Sequence, residues 1–123
     1  MFGDSLTNGD GSTPGTHNRF TDHLARRLGC SVLNFGIGGN RLLRNGFGAA
    51  GLTRFEHDVL GVPGVTHAVV ELGVNDLIQA ALFDQPLPRL RDLMAYDSGD
   101  RVHTNDAGYR AIAAAFDAAW LEA

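Results

Sequence analysis

Two short apolar runs, each closed by glycine, set the architecture open to this chain. Residues 31–35, Ser-Val-Leu-Asn-Phe, run into Gly36-Ile37-Gly38-Gly39, and residues 68–72, Ala-Val-Val-Glu-Leu, run into Gly73. Both have strand length, and the second has the β-branched content of a strand buried on both faces. Helical periodicity lies before and between them. In residues 17–28, Phe20, Leu24 and Leu28 repeat at i, i+4 and i+8, Arg19, Asp22, Arg26 and Arg27 fall elsewhere, and Gly29 is the stop. Residues 48–60 read as a second, weaker helix. A short helical piece is expected over 77–82; Pro86 and Pro88 then break regular structure, and 89–94 add a helical turn. A last helix is expected from Asp106 to Leu121, capped by Thr104 or Asn105, with Tyr109, Ile112, Ala113, Phe116, Ala119 and Trp120 on its apolar face. Alternation of strand and helix implies an α/β chain with a parallel sheet covered by helices. Sites in such sheets form in loops beyond the carboxyl ends of the strands. Ser5, Gly39 and Asn75 all fall where such loops should be.

The chain has 123 residues, 44% of them apolar, which suits a single domain over 1–123 with its own core. The formal charge of -4, with acidic residues near the arginines, argues against a nucleic-acid partner. Cys30 is the only cysteine, so an internal disulfide is impossible; it reads as a small buried hydrophobe. A basic segment leading into an apolar stretch is missing, and no apolar run reaches membrane-spanning length. The expectation is a cytoplasmic chain without a membrane span. The glycines cluster mostly between Gly3 and Gly64, as tight strand-to-loop turns do.

The chemistry-bearing residues sit in these loops. Ser5 lies in Gly3-Asp4-Ser5-Leu6 and, alone, would be an ordinary turn serine. A serine hydroxyl becomes a useful nucleophile only beside a base. Asp100 and His103 lie three apart in Gly99-Asp100-Arg101-Val102-His103. That spacing lets a carboxylate approach one imidazole nitrogen while the other faces a nucleophile. His17, His23, His57 and His67 have no comparable context and read as structural or exposed. Asn75 follows a strand and a glycine, where its amide suits donation to an oxyanion. Gly39 offers a backbone N–H without a β-carbon in the way, and the Ser5 amide is a third donor. Asp76 reads as a loop organiser. The run Gly36-Ile37-Gly38-Gly39-Asn40 lacks both the lysine of a phosphate loop and the full dinucleotide pattern.

Together, Gly3-Asp4-Ser5-Leu6, Asn34-Phe35-Gly36-Ile37-Gly38-Gly39-Asn40, Gly73-Val74-Asn75-Asp76 and Asp100-Arg101-Val102-His103 resemble the blocks of the SGNH (GDSL-like) hydrolases, close to the lysophospholipase L1 type of esterase. The tail from His103 to Tyr109 is similar as well. The resemblance implies a three-layer α/β/α, flavodoxin-like sheet with helices on both faces. It makes Ser5 the nucleophile, His103 the general base and Asp100 its orienter. Gly39 and Asn75 would complete an oxyanion hole with the Ser5 amide. It implies hydrolysis of small-molecule carboxylic esters through an acyl-enzyme, with no metal or cofactor.

Two departures follow. Only Met1 and Phe2 precede Gly3, so the central strand that members place between 31–35 and 68–72 is expected to be absent. The chain from Asn75 to Asp100 is also much shorter than in members. The sheet is therefore expected to be incomplete. Three outcomes stay open: a shortened esterase with weak or no activity, a compact enzyme whose sheet is completed by homo-oligomerisation, and an inactive remnant serving as a binding or self-associating α/β module.

Overall fold

The computed structural model describes residues 1–82 and 105–115. Three strands form one parallel sheet: β1 (Phe2–Gly3), β2 (Phe35–Gly36) and β3 (Val70–Glu71), in the order β2-β1-β3. Phe2 is opposite Phe35 and Val70, and Gly3 is opposite Gly36 and Glu71. The expected loss of the central strand is thus corrected. Met1 to Gly3 supply a short central strand between the two predicted ones. Its ladder begins at the first residue: the Met1 ammonium donates to Leu33 O at 2.8 Å, Phe2 N to Val69 O at 2.9 Å, and Phe35 N to Met1 O at 2.9 Å. Because β1 has two residues, β2 and β3 are paired only at their carboxyl ends, and each is shorter than the apolar run that carries it.

Five α-helices accompany the sheet among the described residues: α1 (Ser5–Asn8), α2 (Phe20–Leu28), α3 (Gly51–Phe55), α4 (Val74–Leu82) and α5 (Asp106–Ala115). A π-helical turn, Glu56–Leu60, continues α3. The predicted helix over 17–28 starts later, at Phe20. His17 has φ 54°, outside helical geometry, and the Asp22 carboxylate caps the new start by accepting from Arg19 N at 3.1 Å. The helix expected over 48–60 starts at Gly51, and the one expected over 77–82 starts earlier, at Val74. Asn105 is the cap of α5: its side chain accepts from Gly108 N at 3.1 Å. The expected turn over 89–94 and the end of the last helix lie outside the described residues.

The core is small. Phe20 and Leu24 of α2 are buried against Tyr109 and Ala113 of α5, with Met1, Leu28 and Val32 packed beside them. The Phe20 and Tyr109 rings stack at 6.4 Å between centroids. Burying each Phe or Leu side chain contributes about 1.5–3 kcal/mol. Arg27 fastens the pair further, donating to Ala113 O at 2.7 Å and Ala114 O at 3.0 Å. Phe2 instead meets Phe55 of α3 edge to face, with ring centroids 5.3 Å apart. Successive strand residues point to opposite faces, so α2 and α5 pack on the side of Met1 and α3 on the side of Phe2. Cys30, expected to be buried, is exposed. It follows the glycine that ends α2 and precedes the paired part of β2, where no neighbouring strand covers the chain.

Candidate active site

Ser5 sits where β1 turns sharply into α1 and is 8% exposed. The turn is possible because two glycines admit close backbone approach. A β-carbon on Gly3 would overlap the Thr7 hydroxyl and Glu71 O, and one on Gly36 would overlap the backbone of Thr7 and Asn8. The helix that opens at Ser5 therefore lies directly on β2. Asn34 ties it there, donating to Thr7 O at 2.6 Å and Thr21 Oγ1 at 3.0 Å. Asp4, fully buried, accepts from Leu6 N at 3.2 Å, which holds the turn. Among the described residues the Ser5 amide has no hydrogen-bond acceptor, as expected for the first residue of a helix.

Gly39 lies beyond β2 with φ 70°, and a β-carbon there would stand 2.7 Å from Phe47 Cδ2. Its neighbour Asn40 is completely buried and is the hub of the loop. The Asn40 amide donates to Phe47 O at 2.9 Å and Ala49 O at 2.8 Å, closing the loop from 40 to 49. Asn75, in the first turn of α4, donates to Asn40 O at 2.9 Å and to the Asp4 carboxylate at 3.2 Å. Asp76 behaves as the loop organiser expected of it: its carboxylate accepts from Leu42 N at 2.6 Å and Leu43 N at 3.1 Å. The turn of Ser5, the loop of Gly39 and the helix start of Asn75 are thus joined through Asp4 and Asn40. Asp100 and His103 lie outside the described residues.

Sequence reasoning missed four contributors. Asp4 and Asn40 stood inside the quoted blocks and passed as spacers. Arg54, in the helix read as weak, is 7% exposed. Its pairing with Asp58 at i,i+4, N to O 3.1 Å, was the one available signal. Glu71, at the end of β3, accepts from the Thr7 hydroxyl at 3.0 Å. Burial, then the nearby Asp4 carboxylate, push its carboxyl from 4.5 up to about 7, against the Thr7 hydrogen bonds. The other histidines behave as expected: His17, His57 and His67 are exposed, and His23 is partly buried.

The far end of the chain is anchored close to the same loops. Tyr109, fully buried, donates its hydroxyl to Asp10 O at 2.6 Å. The Asp106 carboxylate accepts from Thr13 N at 2.9 Å, Thr13 Oγ1 at 2.7 Å and Asn18 Nδ2 at 3.0 Å. The bonds from Thr13 hold that carboxyl below its usual range. The loop after α1 is thus pinned to the helix that follows the Asp100–His103 segment in sequence. Among the described residues, no group of three or more His, Cys, Asp or Glu side chains could hold a metal ion. None of the described helices is long and apolar enough to cross a membrane.

A strand, a sharp turn at serine, and a glycine loop and an asparagine fastened beside it sit on a mixed α/β chain with a small parallel sheet flanked by helices. The profile of the GDSL-like Lipase/Acylhydrolase family matches residues 1–96, and the chain belongs to that family. Comparison with curated proteins gives no match.

Proposed function

We propose that this chain is a serine ester hydrolase of the SGNH type, with Ser5 as nucleophile, His103 as general base and Asp100 as the carboxylate that orients His103. The observation that supports this reading is the fastening of Asn75 to Asp4, the neighbour of Ser5 in sequence, and to Asn40, the neighbour of Gly39. His103 takes the Ser5 proton as Oγ attacks the ester carbonyl. The oxyanion that forms is met by the amides of Ser5 and Gly39 and by the Asn75 side chain. Asn75 gives the oxyanion a hydrogen now directed at Asp4, the longer of its two bonds. Collapse expels the alcohol, which takes the proton from His103, and leaves an acyl-enzyme on Ser5. Water, deprotonated by His103, then releases the acid and restores the serine. The chemistry draws on the chain's own residues alone. The substrates are small-molecule carboxylic esters of the kind cleaved by the lysophospholipase L1 type, and the sheet is the core of an α/β/α sandwich.

The test is labelling of the folded chain by an alkyl fluorophosphonate, read by intact mass, with Ser5→Ala as control. One adduct per chain, lost in the control, is expected. A folded sample that takes up no reagent overturns the reading and leaves the chain a binding or self-associating module.

A further inference from the structure

Arg54 makes a contact set that the hydrolase reading does not use. It lies in α3, away from Ser5 in sequence, yet it is almost completely buried. Its guanidinium has five N–H bonds in one plane, and the structure gives each an acceptor. Nε donates to Asn40 Oδ1 at 3.2 Å. One terminal nitrogen donates to Phe35 O at 2.9 Å and to Asp58 Oδ2 at 3.1 Å. The other donates to Gly3 O at 3.0 Å and to Asn40 Oδ1 at 3.0 Å. The cation also lies over the Phe2 ring, 3.9 Å from its centroid. Gly3 O and Phe35 O belong to the carboxyl ends of β1 and β2. Asn40 follows Gly39, and its carbonyl receives the Asn75 side chain.

We propose that Arg54 is a positioning residue: its planar fork locks the Ser5 turn, the end of β2 and the Gly39–Asn40 loop into one rigid unit. The proposal rests on the hydrolase reading for its effect on chemistry, but the locking itself does not. A buried guanidinium bonded to Gly3 O, Phe35 O and the Asn40 side chain ties the three segments together. Its geometry is also specific. Lysine offers three donors on a single flexible point charge, which cannot bridge these acceptors in one plane. Asp58 balances the buried charge from the solvent side.

The experiment compares wild type with Arg54→Lys, Arg54→Met and Asp58→Asn. Three readouts are taken: thermal midpoint, the rate of Ser5 labelling by an alkyl fluorophosphonate, and deuterium uptake of peptides covering residues 1–9 and 34–43. Arg54→Lys retains a buried charge and a stem of similar length, and guards against failure of Arg54→Met to fold. Misplacement of catalytic groups by about 1 Å costs on the order of a hundredfold in rate, so Arg54→Lys is expected to slow labelling by about tenfold to a hundredfold. Uptake in both peptides should rise together, while the peptide covering residues 105–115 is unchanged. With p-nitrophenyl acetate the loss should fall on kcat, with KM near wild type. Asp58→Asn keeps four of the five donor contacts and should label near the wild-type rate. Arg54→Lys with wild-type labelling and wild-type uptake overturns the proposal. If wild type itself takes no label, the hydrolase reading fails, and the uptake of the two peptides still decides whether Arg54 locks them together.

Discussion

Replacing Glu71 by glutamine should stabilise the protein at pH 8 and do so only slightly at pH 5. Glu71 ends β3, half-buried, with the Thr7 hydroxyl 3.0 Å from its carboxylate. Burial, and then the charge on Asp4, raise its pKa from 4.5 to about 7. A carboxyl whose folded pKa lies above its unfolded one binds its proton more tightly in the folded chain. The stability this gives is complete below pH 4.5, falls as pH rises, and is gone above pH 7. Each pH unit between the two values corresponds to about 1.4 kcal/mol, so the full gap would be about 3.4 kcal/mol. Glu71 keeps part of its surface in solvent, and screening reduces this to about 1–2 kcal/mol. Glutamine keeps an acceptor for Thr7 and removes the charge. At pH 8 Glu71→Gln should therefore melt about 4–8 °C above wild type, with the difference falling to about a quarter of that near pH 5. Melting curves of both proteins at intervals from pH 5 to pH 8 measure it, and the difference between them cancels the titrating groups that do not interact with Glu71. A gap that is the same at both ends of the range would refute the reasoning, as would a gap of opposite sign.

Two further outcomes follow from close packing. Gly36→Ala places a β-carbon against the backbone of Thr7 and Asn8, which cannot swing aside as a side-chain tip would. It should cost about 1–3 kcal/mol, measured by urea denaturation, and slow labelling of Ser5 because α1 must lift from β2. Tyr109→Phe removes the hydroxyl that donates to Asp10 O at 2.6 Å while keeping the ring on Phe20. A loss of about 1–2 kcal/mol is expected, together with faster amide exchange in the loop around Asp10.

What the sequence made legible follows from how each signal is carried. Helical periodicity located α2, and apolar runs closed by glycine located the two outer strands, because several residues contribute to each pattern. A strand of two residues has no periodicity, so β1 could not be seen, and its place between β2 and β3 is fixed by hydrogen bonds from Met1, Phe2 and Phe35. The helix expected to open at His17 opens at Phe20, because a positive φ at His17 and a carboxylate cap at Asp22 outweigh an apolar stripe that begins at Phe20 anyway. The loops of Gly39 and Asn75 were legible because glycine and asparagine after an apolar run mark a strand's end, and the turn at Ser5 because Gly3 and Asp4 are turn residues. Arg54 was not: a charged residue inside a helix reads as a solvated face, and only the fold shows that Gly3 O, Phe35 O and Asn40 converge on it. Cys30 misled for the opposite reason. It opens an apolar run, but its stretch lies beyond the paired part of β2 and stays exposed.

The way the sheet is held explains why polar side chains matter so much here. In a long parallel sheet, backbone bonds fix where the strands end, and the loops inherit that order. Here each outer strand shares two paired positions with β1. The ends must be fixed by other means, and side chains reach across to do it. Asn34 bonds Thr7 O, Asp76 bonds the amides of Leu42 and Leu43, Asn75 bonds Asn40 O, and Arg54 bonds Gly3 O and Phe35 O. Every one of these contacts joins a side chain to the backbone of a different segment. Such bonds are directional, and losing a buried partner leaves an unmet polar group at a cost of about 1–3 kcal/mol. The apolar contacts between α2 and α5 are non-directional and lie on the side of Met1, away from Asn40 and Arg54. Both sets therefore contribute to stability but position different things: the α2–α5 cluster joins two helices, and the polar network fixes the segments that carry Ser5, Gly39 and Asn75.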